Sequence, residues 1–255
     1  MLEVRGLELA LAGRKLVSGL SARFKPGEIW AILGKNGAGK TTLLHTLAGL
    51  RAPDGGEVWL DGMSLAGFSR RELARRRALL LQEEPEKFFG TVFEWVRLAR
   101  YPHAGPFPGA GEEARVRAAL AEVGVAGLAA RRLDTLSGGE RQRVRLAMVL
   151  AQEAPVMLLD EPLRHLDLCA QFALLTRFSA LARRQRRLLL MVLHDVYWAS
   201  RFCDRTLLLF GDGRTEQGES TAVLNRDNVE ALYGCPLEGV EGAGGRLFLP
   251  RGEAP

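Results

Sequence analysis

The stretch EIWAILGKNGAGKTTLLHTLAGL, residues 28–50, joins an apolar strand to a glycine-rich loop and then to a helix. Residues Gly34 to Thr41 fit the P-loop pattern, in which a glycine-rich turn is followed by Gly-Lys-Thr. The strand before the loop and the helix after it are the context in which such a loop binds phosphate. This stretch therefore predicts an α/β fold with a nucleotide site at the end of the strand.

The residue types in this loop suit nucleotide phosphates. Glycines let backbone N–H groups wrap the β- and γ-phosphates, Lys40 offers them a point charge, and the Thr41 hydroxyl can take a Mg²⁺ position. The predicted cofactors are accordingly ATP and Mg²⁺. The candidate nucleotide-binding residues of the loop are Gly34, Asn36, Gly37, Ala38, Gly39, Lys40, Thr41 and Thr42.

A second apolar strand, APVMLLDEP at residues 154–162, ends in two acids. Ligands of parallel sheets bind at the carboxyl edge, where Asp160 would hold Mg²⁺ and Glu161 would orient or deprotonate the attacking water. The alternative interpretation is a pair of surface acids capping a turn before Pro162. His194 ends the next apolar strand, and a phosphate contact competes there with an ordinary structural role.

A second candidate for anion binding follows in LSGGERQRVRLAMVLAQ, residues 136–152. Its Ser-Gly-Gly comes directly before a patterned helix, as at phosphate-binding helix N-termini. Taken alone, the same triplet is more typical of a loop with a capping serine.

Together these motifs, in this order, resemble the signature of ABC-type ATPases over nearly the whole chain. The resemblance implies a head-to-tail homodimer in which Ser137, Gly138 and Gly139 of one subunit face the γ-phosphate held by the other. It also implies that Gln82, at the end of RRALLLQ, senses Mg²⁺ and water. Leu166-Asp167 matches the loop that crosses the dimer interface, and His194 matches the switch histidine.

The resemblance therefore assigns Glu161, His194 and Gln82 to catalysis, and Thr41, Gln82 and Asp160 to the metal. Two positions depart from the family. Leu11 stands where an aromatic side chain usually stacks on adenine, so an aliphatic contact is expected instead. Arg164 stands where small or polar residues are common.

Two further stretches resemble ATPases that serve importers of ferric siderophores, haem and vitamin B12. They are TVFEWVRLARYPHAG at residues 91–105, and residues 192–219 together with VLNRDNVEALYG at 223–234. The implied function is the ATP-hydrolysing motor of an importer of an iron chelate or cobalamin. Its implied partners are transmembrane permease subunits and, indirectly, a substrate-binding protein. A permease helix is expected to dock near Gln82 and residues 83–91, whose acids are Glu83, Glu84 and Glu86.

Two alternatives stay open at this level. One is a soluble ABC-type ATPase without a permease, such as an iron-sulfur cluster assembly ATPase. The long coiled coil of DNA-repair members and the paired cassettes of ribosome-acting members are not found in this sequence. The other is a non-hydrolysing nucleotide switch, against which Glu161 and His194 count.

The pattern along the chain predicts a P-loop NTPase with a RecA-like parallel sheet core, an N-terminal antiparallel β subdomain and an inserted α-helical subdomain. The core would comprise residues 1–82 and 152–234, the β subdomain included, the helical subdomain 83–151, and a C-terminal hairpin tail 235–255. Helical patterns dominate from about Ser69 to Ala151.

Composition limits the cellular setting. The three cysteines, Cys169, Cys203 and Cys235, lack metal or disulfide spacing and are predicted to be buried thiols in a reduced compartment. No apolar run approaches the roughly 20 residues that span a bilayer, so a peripheral position on the cytoplasmic face of the inner membrane is expected. The net charge of +5 comes from scattered arginines, so no nucleic-acid partner is expected.

Overall fold

The computed structural model describes residues 1–82, 88–103, 110–242 and 244–251. Its centre is a six-stranded sheet in the order β10-β9-β3-β8-β7-β6. The strands are β3 (Ile29–Gly34), β6 (Arg77–Leu80), β7 (Val156–Asp160), β8 (Leu188–Val192), β9 (Arg205–Leu209) and β10 (Thr215–Glu219). All neighbours are parallel except β10, which is antiparallel to β9.

Both faces of this sheet are covered, as expected for parallel strands. Alternate residues of β3 belong to two different cores: Ile29, Ala31 and Leu33 to one, and Trp30 and Ile32 to the other. A strand that is buried on both faces reads as a continuous apolar run, which is why IWAILG predicts it well.

A second, antiparallel sheet lies at the amino-terminal side of the chain, in the order β2-β1-β4-β5. Its strands are β1 (Leu2–Leu11), β2 (Arg14–Phe24), β4 (Gly55–Leu60) and β5 (Met63–Ser64). This sheet shares a core with the central one, where Phe24 meets Trp30 edge to face with ring centroids 4.7 Å apart. Strands β11 (Leu237–Gly242) and β12 (Gly245–Pro250) form a separate hairpin.

The helices surround these sheets. They are α1 (Lys40–Leu47), α2 (Arg70–Arg76), α3 (Val92–Arg97), α4 (Ala110–Glu122), α5 (Gly138–Ala151), α6 (Leu168–Arg184), α7 (Val196–Phe202), α8 (Ser220–Val223) and α9 (Arg226–Tyr233). Helices α3, α4 and α5 pack on one another. Among the helices that the structure describes, none combines the length and the apolar character needed to cross a membrane.

A buried arginine links helices α4 and α5. Arg100 is only 4% exposed, and it donates to Glu112 of α4, to the carbonyl of Ala151 at the end of α5, and to Glu153. The Arg100 guanidinium holds the pKa of the Glu112 carboxyl below its usual range. His103 lies 2.8 Å from the carbonyl of Gln152. The ARYPH segment therefore holds the carboxyl end of α5.

The predicted fold class is confirmed: a parallel α/β core carries an antiparallel β subdomain and helices inserted between β6 and β7. The domain boundaries stay a prediction. Two details were wrong: residues 77–80 form strand β6 rather than helix, and Cys169 is exposed rather than buried. Strand β10, which is antiparallel to β9, was not predicted.

Candidate functional site

The phosphate loop takes a conformation that requires its glycines. Gly37 and Gly39 have φ of 76° and 99°, in the left-handed region that favours glycine. A Cβ on Gly39 would lie 2.9 Å from the Cβ of Leu16, and one on Gly34 would lie 2.6 Å from the carbonyl oxygen of Leu209. The loop is thereby packed tightly between β2, β3 and β9, and α1 begins at Lys40.

Lys40 lies across this loop. Its side chain is 7% exposed, and its ammonium donates to the carbonyls of Gly34 at 2.8 Å and Lys35 at 3.0 Å. Burial lowers the pKa of Lys40, while the nearby carboxylates of Glu161 and Asp160 act in the opposite direction. A buried cation inside a phosphate loop is placed to bind phosphate oxygens strongly.

Asp160 ends β7 beside this loop and is 1% exposed. Neither carboxylate oxygen has a hydrogen-bond partner among the described residues. Burial raises the pKa of the Asp160 carboxyl, and the neighbouring Thr41 hydroxyl opposes that rise. A buried carboxylate without a partner is costly. A divalent cation bound to Asp160 would offset that cost.

These residues fit Mg²⁺. The ion prefers oxygen ligands and is usually held by one or two carboxylates together with substrate phosphates. Thr41 and Asp160 offer such oxygens, and Gln82 offers an amide oxygen close by. Within the described ranges, no group of three or more His, Cys, Asp and Glu side chains could hold a metal by itself. Thr41, Asp160 and Gln82 would hold the ion together with nucleotide phosphates.

Three predicted catalytic residues meet at one carboxylate oxygen. The Nε2 atom of His194 lies 2.7 Å from Oε1 of Glu161, and the amide of Gln82 donates to the same oxygen at 3.2 Å. The residues follow β7, β8 and β6, whose carboxyl ends share one edge of the sheet. Glu161 has φ of 48°, which is uncommon for a residue with a side chain. The structure thus brings Glu161, His194 and Gln82 together.

The Ser-Gly-Gly triplet begins α5. Ser137 caps this helix in a reciprocal capping box with Glu140, and Ser137 and Gly138 are exposed. A Cβ on Gly139 would lie 3.1 Å from the carbonyl oxygen of His165. The close packing of α5 against the loop that follows β7 therefore leaves little room for a side chain at this position. This end of the helix lies at the surface of the subunit.

The two residues that depart from the family lie on the surface. Leu11, at the end of β1, is 53% exposed, and Arg164 is exposed in the loop after β7. Asp167 of the same loop caps α6 by accepting from the Ala170 N–H at 2.8 Å. The acids Glu83, Glu84 and Glu86 lie outside the described residues.

Sequence reasoning missed two polar residues that contact this site, Gln142 and Arg145 of α5. Gln142 is 3% exposed, although glutamine in a charged segment is usually read as solvent-facing. The signal was its spacing. Gln142 lies four and seven residues before the buried Leu146 and Val149, so it falls on the apolar stripe of the helix.

The family model described as "ABC transporter" matches residues 17–164. The hemin import ATP-binding protein HmuV of Bordetella pertussis is 42% identical over 246 residues, which cover 93% of each chain. The cobalamin import ATP-binding protein BtuD of Halobacterium salinarum is 39% identical over 233 residues. That match covers 91% of this chain but only 58% of the relative, so the chain spans a little over half of that protein's length.

A solved structure with the same fold supports this likeness. It is an inward-facing conformation of a metal-chelate type ABC transporter, with a TM-score of 0.85 and 26% sequence identity. The match covers 99% of this chain and 98% of that chain. The C-terminal hairpin lies within the range that is covered.

Proposed function

This chain belongs to the ABC transporter family, and from that premise we propose that it is the ATP-hydrolysing subunit of an importer. The observation that carries the proposal is the meeting of Glu161, His194 and Gln82 at one oxygen beside the P-loop. A regulatory nucleotide switch has no need of a carboxylate held between a histidine and an amide. A hydrolase needs this arrangement to place a water molecule.

Each residue of the site then has a role in hydrolysis. Lys40 and the loop amides bind the β- and γ-phosphates, and Glu161 accepts a proton from the attacking water. His194 and Gln82 hold the Glu161 carboxylate in position. When bound, Mg²⁺ would be held by Thr41, Asp160 and Gln82 and would neutralise phosphate charge.

We propose further that two copies act head to tail. Ser137 and Gly138 are exposed, and their helix presents its positive end at the surface. That end would face the γ-phosphate held by the partner subunit's P-loop. Because ATP binds best where both surfaces contact it, nucleotide binding favours the closed dimer, as any ligand that drives a conformational change must favour one state.

Ser137→Arg is expected to lower ATP turnover roughly 10²-fold, because it removes a phosphate donor and fills the space for the partner's nucleotide. Nucleotide binding to the subunit's own P-loop should stay within about twofold of the wild type. Steady-state phosphate release and fluorescent-nucleotide titration measure the two effects.

The matched control is Ser69→Arg. Ser69 caps α2 in the same kind of capping box, with Glu72, so it reports the cost of losing a cap alone. Turnover of Ser137→Arg equal to that of Ser69→Arg would contradict the assignment of the signature to a partner's site.

The transported cargo is proposed from the relatives. Their names specify hemin and cobalamin import, and the solved structure is of a metal-chelate transporter. We propose that this chain drives uptake of an iron chelate, haem or cobalamin with transmembrane permease subunits, which receive cargo from a substrate-binding protein. The site would then work on the cytoplasmic face of the inner membrane. Phe89, 82% exposed, is an apolar side chain at the surface that a permease helix could cover.

Copurification tests the transporter. The tagged full chain is expressed in its native host, the membranes are gently solubilised, and the bound proteins are identified. Recovery of a polytopic membrane protein is expected. Recovery only from the soluble fraction, with iron-sulfur assembly proteins, would replace the importer by an ATPase that lacks a permease. The partner, once recovered, can be assayed for uptake of iron chelates, haem and cobalamin.

A further inference from the structure

Gln142 joins α5, the signature helix that Ser137 caps, to the residues that follow β7. Its amide nitrogen donates to the carbonyl of Pro162 at 2.9 Å and to that of Glu161 at 3.4 Å. The side chain is buried, so these bonds form away from water, where an unpaired carbonyl would be costly. A helix that begins with the exposed Ser137 is thus bonded directly to the backbone of Glu161.

Arg145, one turn further along α5, extends this link to Gln82. Its Nη1 donates to the side-chain oxygen of Gln142 at 3.0 Å, and its Nη2 donates to the carbonyl of Leu81. Leu81 directly precedes Gln82, whose amide donates to Glu161. The bonds therefore close a ring through Gln142, Arg145, Leu81, Gln82 and Glu161.

The hydrogen-bonded ring includes Glu161, whose backbone conformation is uncommon for a residue with a side chain. Glu161 has φ of 48°, a strained conformation that persists only where the surroundings enforce it. The Gln142 amide bonds the carbonyls of Glu161 and of the residue after it. It is therefore placed to fix the direction in which the Glu161 side chain leaves the backbone.

We propose that Gln142 and Arg145 are positioning residues that form a relay. Through this relay, the signature helix sets the orientation of Glu161 and Gln82 for hydrolysis. This inference rests on the proposed ATPase function and deepens it. Because α5 also carries Ser137, a shift of the helix against the partner's nucleotide would be transmitted to the subunit's own Glu161. The two ATP sites of a dimer would be coupled through each α5.

Gln142→Met tests the relay, since methionine keeps the side-chain length and apolar fit but cannot bond a carbonyl. We expect kcat for ATP hydrolysis by the full chain to fall about 10- to 100-fold, the usual cost of a misplaced catalytic group. The KM for ATP, set mainly by the P-loop, should change less than about twofold. This split between kcat and KM is not expected from a general loss of stability.

Gln152→Met is the matched control. Gln152 ends the same helix, and its amide also donates to two backbone carbonyls, those of Ala74 and Arg77, at 2.5 and 2.8 Å. Its loss should lower the melting temperature without a selective effect on kcat. If kcat falls alike in both variants, in step with their melting temperatures, Gln142 is structural and the relay is wrong.

Two more variants locate the effect. Gln142→Glu keeps an acceptor for Arg145 but loses the donor to Pro162, so it should behave like Gln142→Met. Arg145→Met should lower kcat less in a Gln82→Ala background than in the wild type, because part of its effect passes through Leu81 and Gln82. Additive losses of kcat in the double variant would show that Arg145 does not act through Gln82.

The relay and the proposed function fail differently. A wild-type chain without ATP turnover would refute the function and, with it, the relay. Wild-type turnover combined with an unchanged kcat for Gln142→Met would refute only the relay.

Discussion

Replacing Glu161 by glutamine is expected to reduce ATP turnover about 10²- to 10⁴-fold, the usual contribution of a positioned base. Glutamine fills the same space and keeps an oxygen for the bond from Gln82, but it cannot accept a proton from water at neutral pH. ATP binding should survive, so the variant should hold unhydrolysed ATP. Steady-state phosphate release measures the loss, and size-exclusion chromatography with ATP and Mg²⁺ should show a dimer that persists.

Glu57→Gln is the control for this substitution. Glu57 lies on β4 and accepts a hydrogen bond from the indole of Trp59 at 3.0 Å, in the β subdomain. Its turnover should equal that of the wild type. Turnover by Glu161→Gln within about threefold of the wild type would show that another group activates the water, and the bond between His194 and Glu161 would then be structural.

The part of the site that sequence predicts best is the part fixed by the sheet. Asp160, Glu161 and His194 each follow a run of apolar residues too short for a helix, and such runs become buried parallel strands. The carboxyl ends of adjacent parallel strands lie at one edge, so residues more than thirty positions apart in sequence are brought together. No detail of packing is needed for that inference.

Strand β6 was not predicted because its apolar residues also fit the helical pattern that precedes them. RALL follows the arginine-rich helix α2 directly, so that helical periodicity seems to continue through it. The structure pairs Ala78 and Leu80 with β7, with 0% and 1% exposure. Tertiary pairing overrides local preference here. Strand β10, TEQGE, is a polar edge strand without the apolar alternation that would mark it.

Gln142 and Arg145 show a different limit to prediction from sequence. A buried glutamine cannot be recognised as functional without knowing which carbonyls it meets, and those carbonyls belong to a loop twenty residues later. The same holds for Gly139. A side chain at this position would lie close to the backbone of His165, and the sequence does not reveal that contact. Polar contacts between distant loops depend on packing that sequence patterns do not encode.

Lys40→Met is expected to remove most of the stabilisation that nucleotide gives to this fold. Removing one partner of a buried charge pair costs about 2–5 kcal/mol, so ATP affinity should fall roughly 30-fold to several thousand-fold. At a concentration one hundred times Kd, the wild type gains about 2.7 kcal/mol of stability, and the variant should gain less than about 1 kcal/mol. Denaturant unfolding with and without a non-hydrolysable ATP analogue measures both gains.

Without nucleotide, the same substitution should change the free energy of unfolding by no more than about 1 kcal/mol. Two opposing effects produce this balance: the variant loses the bonds to Gly34 and Lys35, and it is relieved of a buried charge whose pKa is lowered by burial. Lys35→Met is the matched control, because this lysine of the same loop is exposed and its ammonium points to Gly234, at the end of α9. It should retain the full gain from nucleotide. An equal loss in both variants would mean that the net charge of the loop, rather than the buried position of Lys40, determines phosphate binding.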